Sequence, residues 1–263
     1  TTSMSSRKKI INVGVVVIAG RMGMAVTKSI VLNTKTKITA GIEHKQHKAI
    51  NTTIGSLIGK DNIDIKITSD KQLFFKDVDV VIEFGLADAT KEFLIEAKKY
   101  KVAYVSGSTG LNKKTINLMK KVSAHIPVFW SPNMSIGANL LKELSSQVTK
   151  KIGNEFDIDI IDLHHKHKKD TPSGTALNIK NDIDITLLKN KVRKKASIIA
   201  MRSGDATGEH TVVFSGQGER LELKHISSSR EIFSEGAVKV AEWISRKPKG
   251  FYQMQDYLGL KGK

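Results

Sequence analysis

The run HHKHKKDTPSGTA at positions 164–176 places two adjacent histidines, a third histidine and three lysines directly ahead of a proline-led helix start. Side chains of these types bind an anion and pass a proton to or from it. The preceding stretch, Phe156 to Leu163 (FDIDIIDL), alternates and is β-branched, so a strand is expected, with His164 at its end. Thr171 is the expected N-cap, with Pro172 at the first helical position, where a missing N–H costs nothing. The amides of Gly174 and Thr175 then fall in the first turn. Such amides have no intrahelical partner and sit at the positive end of the helix dipole, which suits a carboxylate or phosphate. Two other readings stay open: an ordinary solvated loop, and a metal site pairing His164 or His165 with His167. The second has neither a Cys nor an HExxH helix behind it.

The elements that must position this segment divide into two styles. Ile10 to Ala19 (IINVGVVVIA) is an apolar run of strand length, followed by Gly20-Arg21-Met22-Gly23 and the helix-like MAVTKSIVLN. Lys37 to Glu43 predicts a second strand, and Glu43 lies 20 positions after Gly23, a spacing that suits an acid on a cofactor ribose. Strands are also expected at 78–84, 102–106 and 127–130, with helices at 90–100 and 113–122. Alternation of this kind predicts a Rossmann-like, doubly wound, mainly parallel α/β sheet. Ligands of such sheets bind beyond the carboxyl ends of the strands. That draws attention to Gly107-Ser108-Thr109-Gly110 and Ser131-Pro132-Asn133-Met134, which are otherwise a plain turn and a plain domain crossover. The glycine motif itself is incomplete: in a GxxGxxG pattern Gly20 and Gly23 fill two places and Val17 stands at the first. A β-branched residue disfavours the positive φ of the tight turn and narrows the approach to a pyrophosphate.

After Met134 the pattern changes. A helix is expected over 137–152, then the strand that carries the histidine motif, then strands at 197–202, 209–215 and 220–225 separated by glycine turns. This predicts a smaller α+β domain with an open mixed or mostly antiparallel sheet. Residues 235–244 are again helical and are expected to pack back on the first domain. The expected division is therefore a dinucleotide-binding domain over 1–135 with a return at 231–263, and a substrate-binding and oligomerisation domain over 136–230.

Composition narrows the class of function. The chain of 263 residues is 40% hydrophobic and 26% charged, enough for a real core. Its formal net charge of +17 comes from 43 Lys and Arg against 26 Asp and Glu. The lysines are scattered as pairs on predicted helix faces, and aromatic residues make up only 6%, so a nucleic-acid partner is not expected. The positive field can still draw in a small dianion. Zero cysteines exclude a disulfide framework and thiol nucleophiles. No run reaches membrane-spanning length and TTSMSSRKK is no signal peptide, so a cytoplasmic location is expected.

Taken together and in order, the motifs GRMG (20–23), Glu43, GSTG (107–110), SPNMSIGAN (131–139), HHKHKKDTPSGTA (164–176), GDATGEH (204–210), GERLELKH (218–225) and SSREIFSEGA (228–237) resemble the dihydrodipicolinate reductase family. The resemblance implies an oxidoreductase using NADH or NADPH to reduce a conjugated cyclic imine dicarboxylate, 4-hydroxy-tetrahydrodipicolinate, on the diaminopimelate route to lysine. It makes His164 and Lys168 the acid/base residue and the proton donor. His165, Ser173, Gly174 and Thr175 become substrate ligands. The cofactor falls to Val17, Gly20, Arg21, Met22, Gly23, Glu43, His44, Gly107, Ser108, Thr109 and Ser131, Pro132, Asn133 and Met134, with no metal site. A homotetramer built through the substrate-domain sheets is implied as well. The chemistry agrees, since hydride transfer to an imine needs a proton, and crowding of Lys166, Lys168 and Lys169 eases its release.

The chain departs from the family pattern at Val17, at His44 where an arginine often stands, at Glu83-Phe84-Gly85 where Asp-Phe-Thr is usual, and in a shortened segment between Ala176 and Met201. Lys45 is the remaining cation beside His44, though a point charge gives less geometric specificity than a guanidinium. Val17 and Gly85 bear on cofactor affinity, and His44 leaves the choice between NADH and NADPH open. Val17, together with the net charge of +17, also motivates an alternative: a basic binding protein on the same fold with weakened or lost cofactor binding.

Overall fold

The computed structural model describes residues 10–260; the TTSMSSRKK segment and the outer predicted domain bounds lie outside them. The chain forms two compact units, one running to Met134 and resuming at Phe233, the other spanning Ser135–Ile232.

The first unit contains β1 (Ile11–Val16), α1 (Arg21–Leu32), β2 (Thr36–Ile42), α2 (Ile54–Ile58), α3 (Lys71–Phe75), β3 (Val80–Glu83), α4 (Ala87–Tyr100), β4 (Ala103–Ser106), α5 (Lys113–Val122) and β5 (Pro127–Trp130). Its strands are short and nearly wholly buried, Val80–Glu83 and Ala103–Ser106 at every position. That pattern is expected where helices cover both faces of a parallel sheet. Two buried clusters result: one holds Val13, Val15, Ile30, Ile82 and Val105, the other Val16, Phe74, Val81, Leu94 and Tyr104. Local chemistry sets the helix ends. The Asn112 side chain accepts from the Thr115 amide at the start of α5, and Lys120 and Lys121 occupy its last turn, where cations suit the dipole.

In the second unit α6 (Ile136–Ile152) leads to β6 (Asp157–His164), α7 (Gly174–Lys189), β7 (Ser197–Arg202), β8 (Glu209–Ser215) and β9 (Arg220–Ile226). The sheet order is β7-β6-β8-β9. β6 runs parallel to β7 and antiparallel to β8, and β8 is antiparallel to β9, so the sheet is mixed. Its inner face, with Ile158, Ile160, Val212 and Phe214, packs with Leu141 of α6 and Ile179, Ile183 and Leu187 of α7.

The chain then returns through α8 (Ile232–Ile244), β10 (Gly250–Tyr252) and α9 (Met254–Tyr257). β10 pairs in parallel with β5, completing a six-stranded sheet of order β10-β5-β4-β3-β1-β2 in which each pairing is parallel. Two corrections to the sequence reading concern β1 and the short elements. β1 stops at Val16 rather than Ala19, because Val17 turns the chain with φ of 54°. Helices α2 and α3 and strand β10 have only three to five residues, too few for a periodicity to show.

Candidate active site

In the second unit the site is built around Asp162, which has no solvent exposure. Its Oδ1 lies 3.1 Å from His164 Nε2 and 3.0 Å from His210 Nε2, and accepts from Ser173 Oγ at 2.8 Å. Its Oδ2 accepts from the Ser173 amide at 2.8 Å and from an Arg202 terminal nitrogen at 3.2 Å. Strand register makes this meeting possible. Asp162 and His164 share the core-facing parity of Ile158 and Ile160, and His210 is paired directly with Asp162 across β6 and β8. The back of His164 is closed by Gly208, where an added Cβ would lie 2.9 Å from the imidazole Cε1.

Asp162 also decides where α7 begins, which corrects the expected cap. Ser173, not Thr171, is the N-cap: its hydroxyl accepts from the Ala176 amide at 3.2 Å, and its backbone is extended. Asp162 binds both the amide and the hydroxyl of Ser173, holding that residue out of the helix, so Pro172 stays outside it, joined to Thr171 by a cis bond. Gly174 and Thr175 are the first two helical residues, as the anion seat requires.

Electrostatics follow from this packing. Burial alone raises the Asp162 carboxyl, but the Ser173 amide and hydroxyl, Arg202 and His210 together bring it below its ordinary value. Burial lowers His164, against the Asp162 charge, and Lys168 and Arg202 lower it further. Burial likewise takes His210 down to about 4. The neutral forms of both rings are therefore favoured at neutral pH. A neutral His164 that donates from Nε2 to Asp162 leaves Nδ1 as its acceptor. Lys168 Nζ lies 2.8 Å from Asp170 Oδ1, a partner that the crowding of neighbouring lysines did not suggest. His165 is half-buried, its ring 6.4 Å from that of His167. Donor atoms of Asp162, His164 and His210 lie within 4.8 Å of one another, close enough for a metal ion. Both Asp162 oxygens are already engaged, one by a guanidinium, which favours a hydrogen-bonded cluster.

The first unit carries a separate cavity of about 810 Å³ beyond the carboxyl ends of β1, β2 and β3. Val17, Glu43, His44 and Thr109 line it together with Lys45, Gly85 and Lys71. Of the other residues expected at a cofactor, Gly20 to Gly23, at the start of α1, and Gly107, Ser108 and Ser131 to Met134, in the loops after β4 and β5, do not line this cavity. An added Cβ at Gly23 would collide with the Val17 carbonyl and lie 2.7 Å from that of Ile18, so glycine lets α1 start tight against β1. The first backbone bond of α1 runs from Met24 N to Gly20 O at 2.9 Å, after the amides of Arg21, Met22 and Gly23. Glu43 Oε1 accepts from the Ala19 amide at 2.9 Å, so the acid braces the turn as well as lining the cavity. Ser131 Oγ donates to Asn133 O at 2.6 Å, and Met134 is buried.

Family models described as "Dihydrodipicolinate reductase, N-terminus" and "Dihydrodipicolinate reductase, C-terminus" match residues 11–134 and 137–258. The chain belongs to the dihydrodipicolinate reductase family. A 4-hydroxy-tetrahydrodipicolinate reductase of Syntrophobacter fumaroxidans is 37% identical over 259 residues, covering 93% of this chain and 97% of the relative. One from Buchnera aphidicola is 35% identical, covering 96% and 98%. The fold matches that of a dipicolinate-bound dihydrodipicolinate reductase from Paenisporosarcina sp. TG-14, with a TM-score of 0.77 at 21% identity over 95% of this chain and 99% of that one. Family and Rossmann-like sheet imply a nicotinamide cofactor and a small-molecule substrate. The tight glycine at 23, the first-turn amides of α1 and the cavity beside Glu43 fit such a dinucleotide.

Among residues with a defined role in the cluster, Asp162, His210 and Arg202 were not singled out from the sequence. A signal was present: Asp162 and His210 are polar residues at core-facing strand positions, where an unpaired charge is costly.

Proposed function

We propose that the protein is a 4-hydroxy-tetrahydrodipicolinate reductase of lysine biosynthesis through diaminopimelate, using either NADH or NADPH. The observation that carries the reading is the Asp162 cluster, which ties a neutral histidine and the first turn of α7 to one buried carboxylate. Gly20 to Gly23 would hold the pyrophosphate, with Glu43 at the adenosine ribose and His44 and Lys45 beside its 2′ position. Gly107 to Thr109 and Ser131 to Met134 would hold the remainder. When bound, the cofactor supplies a hydride.

The chain's own residues do the rest. Gly174 and Thr175 seat one substrate carboxylate at the start of α7, and His165 contacts the substrate; Ser173, expected as a third ligand, gives both its amide and its hydroxyl to Asp162 and so fixes the turn instead. Asp162 is a positioning residue: it fixes His164 with Nε2 as donor and Nδ1 as acceptor. The reduction adds a hydride and a proton and releases the 4-hydroxyl as water, and Lys168 Nζ, held 2.8 Å from Asp170 Oδ1, is the group that supplies the proton. The lone pair on His164 Nδ1 orients the substrate or takes up a proton, completing the acid/base set.

Homotetramer formation is part of the proposal. Helices α6 and α7 cover one face of the second sheet, while Ile199, Met201 and Ile226 are 52%, 46% and 54% exposed, with Ile161 and Leu163 between them on the other face by register. An apolar sheet face of this kind calls for a partner, and sedimentation tests it. No helix of the described residues is long and apolar enough to cross a membrane, in keeping with a cytoplasmic enzyme. The functional test is a steady-state assay with 4-hydroxy-tetrahydrodipicolinate and each cofactor. Turnover with at least one is expected; a protein that binds cofactor yet turns over with neither lacks this activity.

A further inference from the structure

Glu83 is the last residue of β3 and has no solvent exposure. Its carboxyl receives hydrogen bonds from five groups and from no cation among the described residues. Oε1 accepts from the Gly85 amide and from Ser108 Oγ at 2.6 Å. Oε2 accepts from Ser106 Oγ at 2.9 Å, Thr90 Oγ1 at 3.0 Å and the Tyr104 hydroxyl at 3.2 Å. These groups come from the loop after β3, from α4 and from the end of β4 and its loop. The same two loops carry Phe84, Gly85, Leu86 and Thr109, which form part of the cavity wall.

Gly85 occupies the crowded point of this arrangement. A Cβ added there would lie 2.8 Å from Glu83 Oε1, 3.1 Å from Ala89 Cβ and 3.3 Å from Val17 Cγ2. The first distance requires something to move, and the other two leave little slack. The vacancy at 85 is thus filled from one side by the acid and from another by the Val17 side chain.

We infer that Glu83, Gly85 and Val17 are one compensated set, in which the missing side chain at 85 admits both neighbours and Glu83 is the positioning residue that fixes the cofactor-cavity wall. This rests on the cofactor reading above. Glu83 acts through Gly85 and Ser108, drawing the loops after β3 and β4 together where they border the cavity.

The test is a double-mutant cycle with Gly85→Ala and Glu83→Asp, read by dissociation constants for NADH and NADPH from fluorescence titration and by the melting temperature of the cofactor-free protein. Gly85→Ala is expected to weaken the tighter-binding cofactor about tenfold, the usual size of an overpacking effect. Glu83→Asp, which withdraws the carboxyl from Gly85 and Ser108, weakens it similarly. In the double variant the shorter acid clears the new methyl, so affinity returns to within about threefold of that of Glu83→Asp alone. The KM for the cofactor is expected to rise more than kcat falls, a split that a general loss of folding would not give.

Additive losses in affinity would overturn the inference. So would coupling confined to the melting temperature with affinities unchanged, since the set would then be packing alone. A wild-type protein that binds neither cofactor would overturn the cofactor reading itself, and is distinguishable because it does not depend on the substitutions.

Discussion

Two carboxyls with no solvent exposure sit at or near strand ends, Asp162 in the second unit and Glu83 in the first, and they are held by different chemistry. Asp162 is surrounded by groups that carry or can take up charge: His164, His210 and Arg202, with Ser173 completing its shell. Glu83 meets hydroxyls and one amide. A carboxylate among titratable partners sets tautomers and proton affinities, whereas one among hydroxyls sets distances between loops. The contrast assigns electrostatic control to the second unit and shape control to the first.

The sharpest way to break this contrast is Asp162→Asn, which keeps the side-chain size and removes the charge. Loss of the fixed His164 tautomer is expected to cut kcat by about 100-fold or more, within the usual range of acid/base contributions, while the dissociation constant for NADH is unchanged. Equal losses in kcat and cofactor affinity would erase the division of labour.

A second measurement uses pH. Asp162, His164 and His225 contribute charge around His210, and Ser173 Oγ lies 3.1 Å from its Nε2. His210 is lowered from 6.5 to about 4 in the folded protein. Between those values the unfolded chain binds a proton that the folded one refuses, so stability rises with pH across the window and is lost as pH falls from 6.5 toward 4. Denaturant melts across that range are expected to show the loss in the wild type and a shallower one in His210→Gln. Asp162, lowered from 3.8, adds a loss only below that value. Matching slopes in both proteins would remove His210 from the account.

The smallest effect is expected at Val17. A β-branched residue at φ of 54° carries about 1–2 kcal/mol of left-handed backbone strain, which Val17→Gly relieves. The glycine also gains about 0.4–1 kcal/mol of unfolded-chain freedom and loses contacts with the second buried cluster of the first unit. Near-neutral stability is therefore expected for Val17→Gly in thermal melts, and a clear loss for Val17→Ala, which keeps most of the strain and drops the contacts. A strongly destabilised Val17→Gly would show that the side chain, not the backbone, dominates at this turn.

The sequence made most of the long elements readable, because continuous apolar runs and 3.6-residue periodicity survive in strands such as Pro127–Trp130 and helices such as Lys113–Val122. It also drew attention to His164, Lys168 and the start of α7. What it left out were cross-strand facts. His210 meets Asp162 through register between β6 and β8, and no local pattern states a register. Ser173 replaced Thr171 as the cap for the same reason, since the deciding contact comes from a residue 11 positions upstream. At Val17 the expected preference against positive φ was overruled: the turn kept its geometry and the residue accepted the strain.

The parallel pairing of β10 with β5 bears on how the molecule is made. Residues 250–252 leave the ribosome after every residue from 135 to 232 has been synthesised, so the first sheet remains one strand short while the intervening unit is translated. During that interval β5 presents an unpaired edge, the feature most prone to mispairing in a nascent chain. The second unit, continuous in sequence, has all its strands available before that edge is covered.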